Sequence, residues 1–167
     1  MADKATANIS ASILSDLNKG SMSGNINYEP NSGDYWIYKE IIIDASSGAL
    51  LQAGIEYQGA IRADGTELTT ATGDFVKWIA IKHTGTTNGT TSTLEGVVVS
   101  LAALADGDYN EVEGIFIDSG DIWVGKLPAT TLNTIGAGTV TVTNGTPTAV
   151  GTGDVLVQVA AIITDAG

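Results

Sequence analysis

Four times the chain writes Ser or Thr, then Gly, then Asp, and runs straight into β-branched and aromatic residues. The four stretches are "NSGDYWIY" (31–38), "ATGDFVKW" (71–78), "DSGDIWVG" (118–125) and "GTGDVLVQ" (151–158). The device is local. Gly supplies φ > 0 at a turn, and the Ser/Thr and Asp side chains accept backbone N–H bonds before a strand ladder begins. The four copies are unevenly spaced, which excludes a solenoid repeat. They read as a way of starting strands, and this decides how Asp118 and Asp121 are read. Two carboxylates beside Trp123 have the look of a site, but a turn opening a strand explains them with less.

The runs that follow fix the fold class. "YWIYKEIII" (35–43), "AGIEYQGAI" (53–61), "FVKWIAIKH" (75–83), "TLEGVVVSL" (93–101), "EGIFI" (113–117), "IWVGKL" (122–127), "GTVTVT" (138–143) and "VLVQVAAII" (155–163) are short and separated by Gly, Asn, Asp and Ser. Many short strands with frequent turn signals predict an all-β fold, an antiparallel β-sandwich of jelly-roll type. No helical pattern alternates with them, so a βαβ fold is not expected. Within 75–83, strict alternation puts Phe75, Lys77, Ile79, Ile81 and His83 on one face and Val76, Trp78 and Ala80 on the other. The two "TNGT" stretches, 87–90 and 143–146, read as Asn-Gly turns rather than glycosylation sites.

Residues 1–34 differ. Ile9, Ile13, Leu14 and Leu17 fall at spacings that fit one helical face, and "NKGSMSGN" ends any helix at Gly20. Two readings stand side by side: a short amphipathic helix packed on the core, or an arm docking on a neighbouring subunit. In the second, those four residues form an interface and Gly20–Gly24 is a hinge. The chain thus divides into an N-terminal docking segment, 1–34, and a β-sandwich domain, 35–167.

Composition narrows the function. With 7 Lys+Arg against 19 Asp+Glu, the net charge is −12, which repels phosphates and anionic lipid. Nucleic acid and membrane are therefore not expected partners, whereas calcium or a basic protein is compatible. The absence of Cys excludes thiol catalysis, thiolate zinc and disulfides. "MADKATANIS" lacks the apolar core of a signal peptide, and no apolar run reaches membrane-span length, so the chain reads as soluble and cytoplasmically made. Thr and Gly number 21 each and Lys and Arg together only 7, a surface with little side-chain entropy to lose on contact. That favours a protein living in an assembly, associating with itself through apolar strand faces and Thr-rich loops.

No catalytic, cofactor or metal residue is nominated. His83 is the only histidine, sits at a strand end, and has no nucleophile beside it. Asp106, Asp108, Glu111, Glu113, Asp118 and Asp121 cluster. "DGDYNE" resembles the start of a calcium loop, but Glu111 stands where the loop needs Gly and Ile117 where it needs a bidentate Glu. The cluster reads as a solvated acidic loop. Trp36, Trp78 and Trp123 offer a sugar-stacking platform of the kind carbohydrate-binding β-sandwiches use. Yet each lies just past a Ser/Thr-Gly-Asp, a shared position that suggests core or subunit-interface anchors.

The block "KWIAIKHTGTTNGTT…VVVSL" (77–101) followed by "IFIDSGDIWVGKLPATTLNTIGA" (115–137) resembles the capsid cement or decoration proteins of tailed phages, small virion structural proteins. The resemblance rests on strand-and-turn patterns over about a third of the chain. It implies a non-enzymatic, cofactor-free protein, homotrimeric or otherwise multimeric, added to the capsid surface of a virion made in the host cytoplasm. Its partners would be further copies of itself and the major capsid protein. The family has no catalytic residues to carry over, and segment 1–34 matches none of its patterns. The alternative from another class is a carbohydrate-binding module of receptor-binding or adhesin type, using Trp123 or Trp78. The two differ in whether an indole stands open in a groove.

Overall fold

The computed structural model describes residues 5–14, 19–31, 33–44, 48–52, 54, 56–61, 67–101, 114–131, 135–144 and 146–166. Thirteen strands run through them. They are β1 (Ala5–Leu14), β2 (Lys19–Tyr28), β3 (Asp34–Ile43), β4 (Gly48–Ala49), β5 (Glu56–Ile61), β6 (Glu67–Thr69), β7 (Phe75–His83), β8 (Gly96–Ser100), β9 (Ile115–Ile117), β10 (Ile122–Thr131), β11 (Gly136–Thr143), β12 (Thr146–Val150) and β13 (Val155–Thr164). No helix occurs among the described residues.

Two antiparallel sheets form the sandwich. One has six strands in the order β10-β7-β13-β3-β5-β6. The other runs β12-β11-β8-β9, with β4 paired to the start of β11. Neighbouring strands in the first sheet are mostly far apart in sequence. The connections therefore cross between sheets, a winding compatible with the expected jelly roll. β13 is the spine. It pairs with β3 in unbroken register from Val155↔Ile43 to Thr164↔Asp34, and with β7 on its other side.

The core follows from alternation. Val155, Val157, Val159, Ala161 and Ile163 of β13 point between the sheets, with Tyr35 and Ile37 of β3 and Ile79 and Ile81 of β7. They meet Val97 and Val99 of β8, Ile117 of β9 and Ala137 of β11. Fully burying a side chain of the Val/Ile class stabilises by about 1.5–3 kcal/mol, so this layer dominates the favourable side of folding.

β7 departs from strict alternation. Its register against β13 shifts between Trp78↔Ile162 and Val76↔Ile163, leaving Lys77 as the extra residue of a β-bulge. The bulge turns Val76 into the core with Ile79 and Ile81, and Phe75 stays half-buried beside Lys77, whose ammonium lies 5.9 Å from the Phe75 ring. The expected grouping of Phe75 with Ile79 and Ile81, and of Val76 with Trp78 and Ala80, is thereby corrected.

The N-terminal segment is neither a helix nor a single-stranded arm. β1 and β2 form a two-stranded antiparallel hairpin, in register without a break from Ala5↔Tyr28 to Leu14↔Lys19. The expected hinge Gly20–Gly24 lies inside β2. Ala5, Ala7, Ile9, Ala11 and Ile13 alternate with Thr6, Asn8, Ser10 and Ser12, a period of two that suits a strand. Thr, Asn, Ser and Ile are also poor helix formers. The helical spacing of Ile9, Ile13, Leu14 and Leu17 is incidental. Ile9 and Ile13 share a strand parity, Leu14 has the opposite one, and Leu17 lies outside the described residues.

Candidate interaction surfaces

The base of the hairpin rests on the outer face of the six-stranded sheet. Ala5 and Ala7 of β1 and Ile26 and Tyr28 of β2 pack over Trp36, Trp78, Ala80, Val124, Ala160 and Ile162. Trp78 is buried there, and Trp36 meets it edge-on, ring centroids 5.6 Å apart at 70°. Small residues on β1 let the hairpin approach closely, and the indoles fill the space between. Further along the hairpin the cover ends. Ile9, the next residue of the same parity after Ala7, is 50% exposed, and Asn8, Ser23, Gly24 and Asn25 around it are exposed too.

Of the nominated interface residues, Ile9 is therefore an exposed side chain beyond the docked base. Ile13 and Leu14 stand at the far end of β1, opposite Gly20 and Lys19. The side chains of Ile13 and Leu14, and all of Leu17, lie outside the described residues, as does the acidic stretch 106–113.

Trp123 faces the main core from β10 and is half-buried. Its indole lies across Gly125, where an added Cβ would stand 2.6 Å from the ring. None of the three indoles stands fully clear of the protein. The exposed apolar side chains are instead Ile42 and Tyr38 on β3, Ile122 on β10, Leu94 and Val150, besides Ile9.

Asp118 and Asp121 close a turn between β9 and β10. The Asp121 N–H donates to the Asp118 carbonyl at 2.9 Å, and Gly120 between them has φ +85°. Ser119 Oγ donates to the Thr93 carbonyl at 3.0 Å, tying the turn to the segment before β8. The Asp118 carboxylate accepts the Ser119 N–H at 2.7 Å, and Asp121 takes part through its backbone, its carbonyl accepting the His83 N–H at 2.9 Å.

Two other members of that recurrence do more than start strands. Asp34 and Asp74 are both buried. In each, the Asp N–H donates to the carbonyl three residues back, and the N–H of that same residue donates to the carboxylate. Asn31 and Asp34 make one pair, and Ala71 and Asp74 the other. Each carboxylate also takes a tyrosine hydroxyl: Tyr28 on Asp34 at 2.8 Å and Tyr35 on Asp74 at 2.7 Å. Each then holds the C-terminal end, Asp34 through the Thr164 hydroxyl and Asp74 through the Ala166 N–H at 3.2 Å. Sequence reasoning had these as turn residues only. The triplet carries no sign of the tyrosines, which come from outside each turn: Tyr28 lies 6 residues from Asp34 and Tyr35 lies 39 from Asp74. Burial, and next the hydrogen bond to Asp34, push the Tyr28 hydroxyl up to about 12.

His83 is fully buried at the end of β7. Nε2 donates to the Glu95 carbonyl at 2.8 Å, and Nδ1 accepts from the Gly85 N–H at 2.9 Å. Both ring nitrogens are thereby satisfied in the neutral form, and burial holds the imidazole below its ordinary value, outweighing the Glu95 bond and the nearby Asp118 and Asp121. The histidine joins the 84–95 loop to the end of β7.

Among the described residues, no three His, Cys, Asp or Glu side chains converge as a metal site. No helix among them is long and apolar enough to cross a membrane. No protein-family model matches the chain, and no curated protein is significantly similar to it.

Proposed function

We propose that this chain is a non-enzymatic virion structural protein, a capsid cement or decoration protein that binds the head surface through the major capsid protein and stabilises it. The observation that carries this reading is the treatment of the outer sheet face. Its indoles are covered by the protein's own hairpin, and the next described side chains along that hairpin, Ile9, Ser23 and Asn25, stand exposed. A protein built this way engages partners through surfaces rather than in a cleft. The two-sheet sandwich and the strand pattern over 77–137 fit the same reading. In it the protein is a homo-oligomer, a trimer in the simplest capsid geometry, and resides on the virion.

A second reading, a carbohydrate-binding module of receptor-binding or adhesin type, keeps one foothold. Trp123 is only half-buried on the edge strand β10. Co-sedimentation decides between them. Purified protein is mixed with empty heads of the same virion lacking it and, separately, with insoluble polysaccharide. Saturable binding to heads, with raised thermal resistance of the shell, is the expected result. Binding to polysaccharide that Trp123→Ala abolishes, with none to heads, would overturn the capsid reading.

A further inference from the structure

We infer that the β1–β2 hairpin is the self-association element of this protein, and that its strands just beyond the docked base, around Ile9 and Asn25, are met by the hairpin of a second copy. The inference deepens the assembly reading but needs no capsid: it concerns the purified chain.

Three observations carry it. The first is length. Ten residues of strand span about 33 Å, and among the described side chains of the hairpin those packed on the sandwich are Ala5, Ala7, Ile26 and Tyr28, all at its base. The described side chains next along the hairpin, Ile9, Ser23 and Asn25, are exposed rather than packed on the domain, and an isolated two-stranded hairpin is marginally stable in water.

The second is the open edge. β1 and β2 pair only with each other among the described residues, so each offers one unpaired edge. Monomeric proteins blunt such edges with charges, Pro, bulges or short strands. These two strands are ten residues long, contain no Pro, show no bulge, and carry Lys19 as their sole charge.

The third is charge, and it selects the occupant. Residues 29–167 hold seventeen of the nineteen carboxylates and five of the seven basic side chains, which is the entire net charge of −12. Two copies approaching by any part of that region repel. The strands 5–14 and 19–28 contain no carboxylate at all. A contact between the strands of two hairpins sets no strand carboxylate against another, and Asp3 and Asp16 beside those strands are balanced in charge by Lys4 and Lys19. A basic partner would instead be drawn to the acidic domain. The hairpin's apolar parity, Ala5, Ala7 and then exposed Ile9, continues past the docked base without changing character, so the second copy extends a contact the first has begun.

The test is sedimentation of the full chain without particles, at low and high salt, for wild type and for Ser23→Asp/Asn25→Asp. Both positions are exposed and neither substitution removes buried apolar area. Hydrogen exchange is followed over 5–28 in parallel. The expected result is a wild-type oligomer with protected amides along at least one open hairpin edge. In the variant, association weakens at least tenfold at low salt and recovers at high salt, with the tryptophan emission of the sandwich unchanged. A wild-type monomer at high micromolar concentration overturns the inference. So does an oligomer in which the alternate amides of both hairpin edges exchange freely, which would place the interface elsewhere even if the variant misfolded. Failure to bind heads by a protein that passes this test would count against the capsid reading alone.

Discussion

The hydroxyl of Tyr35 donates to Oδ2 of Asp74 at 2.7 Å, joining the first residues of β3 and the turn before β7 across thirty-nine residues of chain. Both partners are almost fully buried, and Asp74 also accepts from the Ala71 and Ala166 amides. One carboxylate thus orders a turn, a tyrosine and the C-terminal tail.

Removing it strands three donors. Asp74→Ala is expected to cost about 2–4 kcal/mol, because buried donors left without a partner lose their full desolvation cost. Tyr35→Phe, which removes one donor together with its bond, is expected to cost only about 1 kcal/mol. Thermal unfolding followed by calorimetry checks the order. A Tyr35→Phe loss as large as that of Asp74→Ala would mean the carboxylate matters through the tyrosine alone.

Tyr28 sets an alkaline limit. Its hydroxyl is pushed up to about 12 in the folded protein by burial and by Asp34, against an unfolded value near 10. The folded state therefore holds this proton more tightly. Its contribution is complete below about pH 10 and is lost as pH rises through 12. Denaturant midpoints measured from pH 8 to 12 should fall for wild type above 10, and fall less steeply for Tyr28→Phe. Parallel curves for the two proteins would exclude Tyr28 as the source.

His83 works in the opposite direction. Its folded value is lowered by burial, so the unfolded chain binds the extra proton first, near pH 6.5. The stability it supports is present above that pH and is lost as pH falls through the lowered folded value. Protonation would also place a hydrogen on Nδ1, facing the Gly85 N–H that Nδ1 now accepts. The melting temperature should decline on acidification below about 6.5. His83→Gln should be less stable at neutral pH and lose part of that decline. A variant with an unchanged acid profile would assign the acid sensitivity to carboxylates.

The strands bounded by turn signals are legible in the sequence: β3, β7, β10 and β13 fall within a few residues of their expected bounds. What local pattern could not supply is pairing. The Asp34 and Asp74 clamps join residues that sequence keeps far apart, and the bulge at Lys77 reverses the faces of Phe75 and Val76. The hairpin was misread because its apolar parity is written mostly in Ala, a weak signal. The large residues Ile9, Ile13, Leu14 and Leu17 instead fell on a helical spacing. Even so, the period of two was present, and weighing Ala as apolar would have found it. No spacing in Trp36 and Trp78 announced that a distant hairpin would cover them.

Gly151 tests the packing between β11 and the 84–95 loop. A Cβ there would stand 2.7 Å from the Thr139 backbone carbon and closer still to Thr139 Oγ1 and Glu95 Oε2. The Gly151 N–H also donates to the Thr139 carbonyl at 2.7 Å, so the backbone has no room to retreat. Gly151→Ala is expected to destabilise by about 1–3 kcal/mol, the usual range for overpacking. Unchanged stability would show that β12 shifts outward freely.

The hairpin should divide into a structural base and a tip that leaves the fold alone. Ile26 packs over the Trp36–Trp78 pair, whereas Ile9, of the same apolar parity, is half exposed beyond it. Truncating a fully buried Ile to Ala costs about 2–5 kcal/mol, and a half-buried one correspondingly less, so Ile26→Ala is expected to cost about 1–2 kcal/mol. Loss of that cover should also admit water to Trp78 and shift tryptophan emission to longer wavelength. Ile9→Ala removes little buried area and should leave melting and emission of the dilute protein unchanged. Both variants are measured at low micromolar concentration, where association contributes least. Equal losses for the two would mean that the hairpin is supported along its whole length. Loss for neither would mean that the hairpin does not rest on the sheet.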